Sequence, residues 1–487
     1  MRETKIHSVK YNFVMNFILT ATQFIFPLIT FPYVSRVLQA AGNGKVSFAA
    51  SVANYFMMVA SLGIPTYGIR ACAKVRDNKE KLSKTVQELY IINLIMTVLV
   101  TFTYLISIFL VPRFQEDRTL FLINGLNIVL NMFGMNWVFQ ALEQYDYITF
   151  RSISFKIISI VLMFALVHDP SDYVIYGAIT VFAAVGSYIL NFIRVRRIID
   201  FRFTGDYDLK QHIKPILILF SQSLAVSIYT NLDTVMLGFM KTPTDVGYYN
   251  AAVKIKKLLL SLVSSLGGVL LPRMSYFLKN NRINEFKTYA LKALNFSLLM
   301  SIPLAVFFVL YSNEAILFLA GSGYSGAVLA MQLITIAVIP NGLTGILGIQ
   351  VLTSMEKEKY VLLSVVTGAI VDFILNLAFI PQLGAAGASL ATMIAEFCVL
   401  VVQVIYTKNL LTDIRKGFRI QWYIFLTVIS AAMSRLVLLI NIKSNFITLL
   451  ATSAAFFGTY GLGLILIREP LISTTLIDLL NRLKKKL

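Results

Sequence analysis

The stretch Ile92-Asn-Leu-Ile-Met-Thr-Val-Leu-Val-Thr-Phe-Thr-Tyr-Leu-Ile-Ser-Ile-Phe-Leu-Val111 holds twenty residues and no charge. As a helix rising about 1.5 Å per residue it matches a hydrocarbon core about 30 Å thick. It lies within one of fourteen apolar stretches of roughly twenty residues. We place them at 12–38, 45–69, 86–111, 119–142, 151–167, 173–197, 215–240, 246–271, 288–311, 326–353, 360–380, 385–407, 421–440 and 446–467. Little chain is left outside them, so the fold class read here is an all-α polytopic membrane protein whose work is done inside the bilayer.

Composition agrees. The 487 residues are 57% hydrophobic and only 14% charged, which fits no soluble class. A net charge of +19 would suit a nucleic-acid binder by number alone, but its placement argues against one. With the N-terminus set in the cytoplasm, most Lys and Arg fall in cytoplasmic segments or at their helix ends. Lys45, Arg113, Arg118, Lys241 and Lys443 occupy the opposite loops. That asymmetry is the positive-inside bias, and an even number of spans then puts both termini in the cytoplasm. The basic tail Lys484-Lys-Lys486 suits anionic lipid. The apolar run behind Met1–Lys10 is too long for the core of a cleaved signal, so the first helix reads as an uncleaved start. Two cysteines, Cys72 and Cys398, give no disulfide framework. His7, His168 and His212 lack ligand-like spacing, so no metal site is expected.

The chain also echoes itself. Gly44-Lys-Val-Ser-Phe-Ala-Ala-Ser-Val52 opens span two as Gly247-Tyr-Tyr-Asn-Ala-Ala-Val-Lys-Ile255 opens span eight. Tyr176-Gly-Ala178 opens span six as Ala386-Gly-Ala388 opens span twelve. The near-equal offsets imply a six-helix unit used twice in one orientation, a parallel repeat of the transporter kind. The expected organisation is an N-terminal lobe over 1–214, a C-terminal lobe over 215–408, and two appended helices with the tail over 409–487.

Polar stripes mark the spans that should face a partner helix or water. Span one carries Asn12, Asn16, Thr20 and Gln23 on one face, ahead of Pro27 and Pro32. Span four carries Asn124, Asn127 and Asn131; span seven carries Ser223, Ser227, Thr230 and Asn231, with Asp233 nearby. Any one of these residues reads most simply as interhelical glue. Three stripes, two on repeat-equivalent spans, favour a hydrated cavity. Lys254, Lys256 and Lys257 enter span eight two to three turns deep. One lysine at mid-bilayer costs about 2.5–3.5 kcal/mol, so such a cluster needs a function or a partner. Lys254 and Lys257 share a face and read as cavity cations, whereas Lys256 points away and reads as a snorkelling side chain. Arg36 and Arg435 are further cationic candidates; Arg70 and Arg151 read as cytoplasmic helix ends. The acids Glu88, Asp233, Asp372 and Glu396 suit either ion pairing or coupling to a cation.

A cationic, hydroxyl- and amide-lined cavity suits an anionic substrate rich in hydroxyls. A drug or cation exporter should show acids among aromatics instead. The extramembrane segments are short, no phosphate-cradling glycine loop is present, and no carboxylate pair sits in a large exterior loop. ATP hydrolysis and a membrane glycosyltransferase or polymerase are therefore disfavoured, and a scaffold offers no reason for buried lysines.

The segments Phe31-Pro-Tyr-Val-Ser-Arg-Val-Leu38, Tyr67-Gly-Ile-Arg70 and Asn136-Trp-Val-Phe-Gln-Ala-Leu-Glu143, with Tyr147-Ile-Thr149, resemble the Wzx-type polysaccharide flippases. So do Asn231-Leu-Asp233 with Leu237-Gly238, Val246-Gly-Tyr-Tyr249 and Leu271-Pro-Arg273. These flippases share a superfamily with multidrug and toxin extruders and lipid II flippases. One departure is Gln39-Ala40, where a glycine-containing turn is expected. The resemblance implies two six-helix lobes in a V, alternating access, and an undecaprenyl-diphosphate-linked oligosaccharide moved outward across a bacterial inner membrane. It further implies pathway partners such as a polymerase and glycosyltransferases. Lys254 and Lys257 would then meet the diphosphate or an acidic sugar, with Arg36 as a second cation. Asn12, Asn16, Gln23, Asn127 and Asn131 would bond sugar hydroxyls. Asp233, Asp372 and Glu396 would serve ion coupling or lobe pairing. No cofactor is expected; H+ or Na+ coupling stands beside pull by consumption of the product.

Overall fold

The computed structural model describes residues 9–202, 205–440 and 444–471, and among them no strand occurs. Eleven helical runs in these residues are long and apolar enough to cross a membrane. The chain is an all-α polytopic membrane protein. Eleven differs from fourteen for identifiable reasons. Spans one and two join in one run, Val14–Val75, and the segments read as spans seven and eight form helices outside the eleven. The second of these, Pro243–Val263, carries three lysines within four residues.

Contacts divide the chain into two units, Met1–Gly247 and Tyr248–Leu487. The first contains α1 (Val9–Ser61), α2 (Ile64–Val75), α3 (Lys79–Leu110), α4 (Pro112–Gln115), α5 (Arg118–Gly134), α6 (Asn136–Ala141), α7 (Tyr145–Leu166), α8 (Tyr173–Val185), α9 (Tyr188–Ile198) and α10 (Lys210–Met240). It ends within α11 (Pro243–Val263). Helix α1 packs on α3, α5, α7, α8 and α10. Helix α3 shows the membrane logic. Ile95, Val98, Leu99 and Phe102 stay exposed, Phe102 by 65%, while Asn93, Thr97 and Tyr104 turn inward. Lipid tolerates that apolar face, whereas Asn93 and Tyr104 find backbone partners. Asn93 Nδ2 donates to the Ala60 carbonyl at 3.0 Å and Tyr104 OH to the Phe121 carbonyl at 2.8 Å.

Helix α1 continues through Pro27 and Pro32 and breaks at Gln39, where φ is 57° and ψ is −177°. Only glycine adopts that region without strain, so the residue that departs from the expected glycine turn carries the cost. The echo of Gly44 and Gly247 in the sequence has a local meaning: a Cβ on Gly44 would lie 1.7 Å from the Pro243 carbonyl oxygen and 2.9 Å from the Gly247 nitrogen. A Cβ on Gly247 would lie 2.0 Å from the Ala40 carbonyl oxygen. The two echoed glycines therefore face each other, each clearing backbone for the other's segment.

The second unit holds the rest of α11, then α12 (Gly267–Lys279), α13 (Ile283–Leu310), α14 (Ser312–Ala320), α15 (Val328–Ile336) and α16 (Val338–Thr344). A π-helical segment, Gly345–Leu352, leads to α17 (Glu358–Leu383), α18 (Ala385–Ile414), α19 (Ile420–Val437) and α20 (Asn445–Leu466). Helices α17 and α18 pack side by side, α18 also meets α15 and α16, and α13 packs on α12, α15, α16 and α19. The lobe limits at 214 and 408 remain expectations of the sequence; the contact division falls at Gly247 instead.

Candidate functional site

In the second unit the polar chemistry gathers on α11, α16 and α18. Tyr249, Ala252, Lys256, Leu259 and Val263 are all buried, a heptad-spaced stripe along α11. Lys256 is thus the lysine on the packed face. Its Nζ lies 3.3 Å from Glu396 Oε1, and Asn341 Nδ2 donates to the same oxygen at 2.6 Å. One turn earlier on α18, Thr392 Oγ1 lies 3.3 Å from the Tyr249 hydroxyl. Lys256 therefore does not snorkel away, contrary to the sequence reading: stripe geometry turns it inward onto an acid 140 residues on. Lys257 is exposed and Lys254 half-buried. Asp372 is buried on α17 and accepts from Asn376 Nδ2 at 3.3 Å. Arg435 is exposed beside the Tyr311 ring.

The first unit holds the remaining candidates. Asn12 is buried and donates to Glu143 Oε2 at 3.4 Å, while Arg76 Nη1 holds Glu143 Oε1 at 2.7 Å. The hydrogen bond to Glu143 and its charge hold the Arg76 guanidinium above its ordinary pKa. Asn16, Thr20 and Gln23 on α1, and Ser221 and Thr230 on α10, are exposed among the described residues. Lipid would disfavour such surfaces and water would not. Arg36 is exposed, its Nη1 2.6 Å from the Pro32 carbonyl. Asn127 and Asp233 are buried. Asn131 Nδ2 donates to Ser61 Oγ at 2.7 Å.

Asn131 also lines a cavity of about 280 Å³ with Asn93, Asn136, Gln140 and Tyr188. Behind it stands Arg151, which the sequence reading assigned to a helix end for topology. It is instead only 7% exposed. Its Nη2 donates to Asn136 Oδ1 at 3.1 Å, and its guanidinium carbon lies 5.8 Å from the Tyr147 ring and 5.5 Å from the Tyr188 ring. The aromatic faces supply the attraction that an acid would otherwise provide. Lys256 is thus a cation that position alone misassigned, whereas Arg151 sits near the start of α7 as expected but is buried rather than serving topology alone. The heptad stripe could have found Lys256; nothing local marks Arg151.

The family model described as "Polysaccharide biosynthesis protein" matches residues 9–278, more than half of the chain. The chain belongs to this family. Within the family's membrane architecture, a second model, MatE, matches residues 218–378. A "Putative O-antigen transporter" of Escherichia coli (strain K12) is 24% identical over 408 residues, covering 82% of this chain and 97% of that protein. Among solved structures, the lipid II flippase MurJ in an inward closed conformation aligns with a TM-score of 0.74 at 16% identity, over 94% of this chain and 100% of that one. An inward-facing multidrug resistance MATE family transporter aligns with a TM-score of 0.59 at 13% identity, over 81% and 99%. At these identities the two structures speak for the fold alone. The polysaccharide family, the transporter relative and the shared fold agree with the Wzx-type motifs read from the sequence.

Proposed function

We propose that the chain is a flippase carrying undecaprenyl-diphosphate-linked oligosaccharide from the inner to the outer leaflet of a bacterial inner membrane by alternating access. It would do so as a transporter, not an enzyme, with both termini in the cytoplasm, between glycosyltransferases that build its cargo and a polymerase that consumes it. The observation that carries the reading is a helix, α11, with Lys254, Lys256 and Lys257 among the apolar helices of a polysaccharide biosynthesis family member. Lys256 is committed to Glu396, which fixes α11 against α18. Lys257, exposed, and Lys254, half-buried, would meet diphosphate or acidic-sugar oxygens. The exposed amides of α1 and the exposed hydroxyls of α1 and α10 suit sugar hydroxyls.

Deleting the protein from its host should strand complete lipid-linked units in the inner leaflet and abolish surface polysaccharide. The wild-type chain should restore both; the Lys254→Glu, Lys257→Glu double variant should not. Full export by that double variant would refute the site assignment. Normal leaflet distribution with raised sensitivity to cationic dyes would move the chain to the drug-exporter branch of the fold.

A further inference from the structure

Glu88 of α3 and His212 of α10 are 1% and 5% exposed. His212 Nε2 lies 2.8 Å from Glu88 Oε2, and His212 Nδ1 lies 2.9 Å from the Tyr67 hydroxyl of α2. Glu88 also accepts the Asp208 backbone N–H at 2.9 Å and Gln211 Nε2 at 3.4 Å. The titratable groups around the imidazole are thus Glu88 and Tyr67, with Cys72 in the same packed cluster as Tyr67. The approach to α10 is stitched to α3 one residue away, where Tyr207 OH donates to Gln87 Oε1 at 2.6 Å.

Two protonation states satisfy the same heavy-atom geometry. An ionised Glu88 takes the Nε2–H in both. With neutral imidazole, Nδ1 accepts the Tyr67 O–H; with imidazolium, Nδ1–H donates to the Tyr67 oxygen, which serves equally as acceptor. Uptake of one proton therefore needs only a rotation of the phenolic hydrogen, and no hydrogen bond is lost. Histidine is the side chain suited to make that change at physiological pH.

We infer that Tyr67, His212 and Glu88 form a one-proton binding site that fastens the start of α10 to α2 and α3. The fastening is tightest with the proton on, because a charge-assisted bond replaces a neutral one. By reciprocity, any step that pulls α10 from Glu88 expels the proton, and loss of the proton frees α10. The inference rests on the transporter reading only for its link to cargo movement; proton binding stands without it.

The chain has three histidines, so the test uses the full-length protein in lipid with isotope-labelled histidine. Nuclear magnetic resonance reads the ring nitrogens directly. The resonance removed by His212→Gln should pass from one protonated nitrogen to two on acidification. Tyr67→Phe, which keeps the ring packing, should shift that same resonance and assigns it if His212→Gln fails to fold. A His212 resonance with one protonation state throughout would overturn the inference. Hydrogen exchange across the first turn of α10, corrected for intrinsic rate, should slow about tenfold at the lower pH, as expected when a neutral bond becomes charge-assisted. His212→Gln should lose that difference, and an unchanged difference would overturn the fastening role. Titration in a wild-type protein that moves no lipid-linked oligosaccharide would instead sink the flippase reading and leave the proton site intact.

Discussion

Lys256→Met separates a lysine that holds the fold from one that serves transport. Methionine keeps much of the apolar stem and removes the ammonium that lies 3.3 Å from Glu396, whose side chain is 4% exposed. Removing one partner of a buried pair leaves the other charge uncompensated, at a cost of about 3–5 kcal/mol. Asn341 continues to donate to Glu396, so the lower end, about 3 kcal/mol, is expected. For a unit of this size that corresponds to a fall of roughly 10 °C in Tm. The assay is thermal unfolding of purified protein in detergent, wild type against variant. The Lys256→Met, Glu396→Gln double variant should recover most of the loss, since it buries no lone charge. Lys257→Met, at an exposed position, should stay within about 0.5 kcal/mol of wild type while impairing export. Wild-type stability in Lys256→Met, or no recovery in the double variant, would refute the pairing argument.

Gln39→Gly should raise stability by about 1 kcal/mol, because glycine adopts φ 57° with ψ −177° freely; the gain is reduced by loss of the Gln39 Nε2 bond to the Arg36 carbonyl. A lower Tm would show that the turn is not strained. Gly44→Ala should cost about 3 kcal/mol or more, since its methyl would lie 1.7 Å from a backbone oxygen that no rotamer can move; unchanged Tm and membrane yield would refute the close approach. Arg113→Lys should cost about 1–2 kcal/mol, because the guanidinium donates through Nε to the Gly238 carbonyl at 2.8 Å and through Nη2 to the Lys241 carbonyl at 3.1 Å, a fork lysine cannot copy. Equal thermal stability of the two proteins would count against that clip.

What the sequence determined by itself is whatever the bilayer dictates locally. Twenty uncharged residues such as 92–111 have one stable form in hydrocarbon, a helix, because no water is there to satisfy an open backbone. The departure at Gln39-Ala40 came from comparison with the family pattern, and the structure places a positive φ there. Tertiary structure decided which charges meet. Lys254, Lys256 and Lys257 are nearly equivalent in a sequence window, and only the packing of α11 on α18 brings Lys256 to Glu396. Glu88 finds His212 at a separation of 124 residues, and Arg151 finds two tyrosine faces in place of an acid. Hydropathy falls off along the chain, whereas electrostatic pairing falls off through space, and only the folded bundle converts one distance into the other.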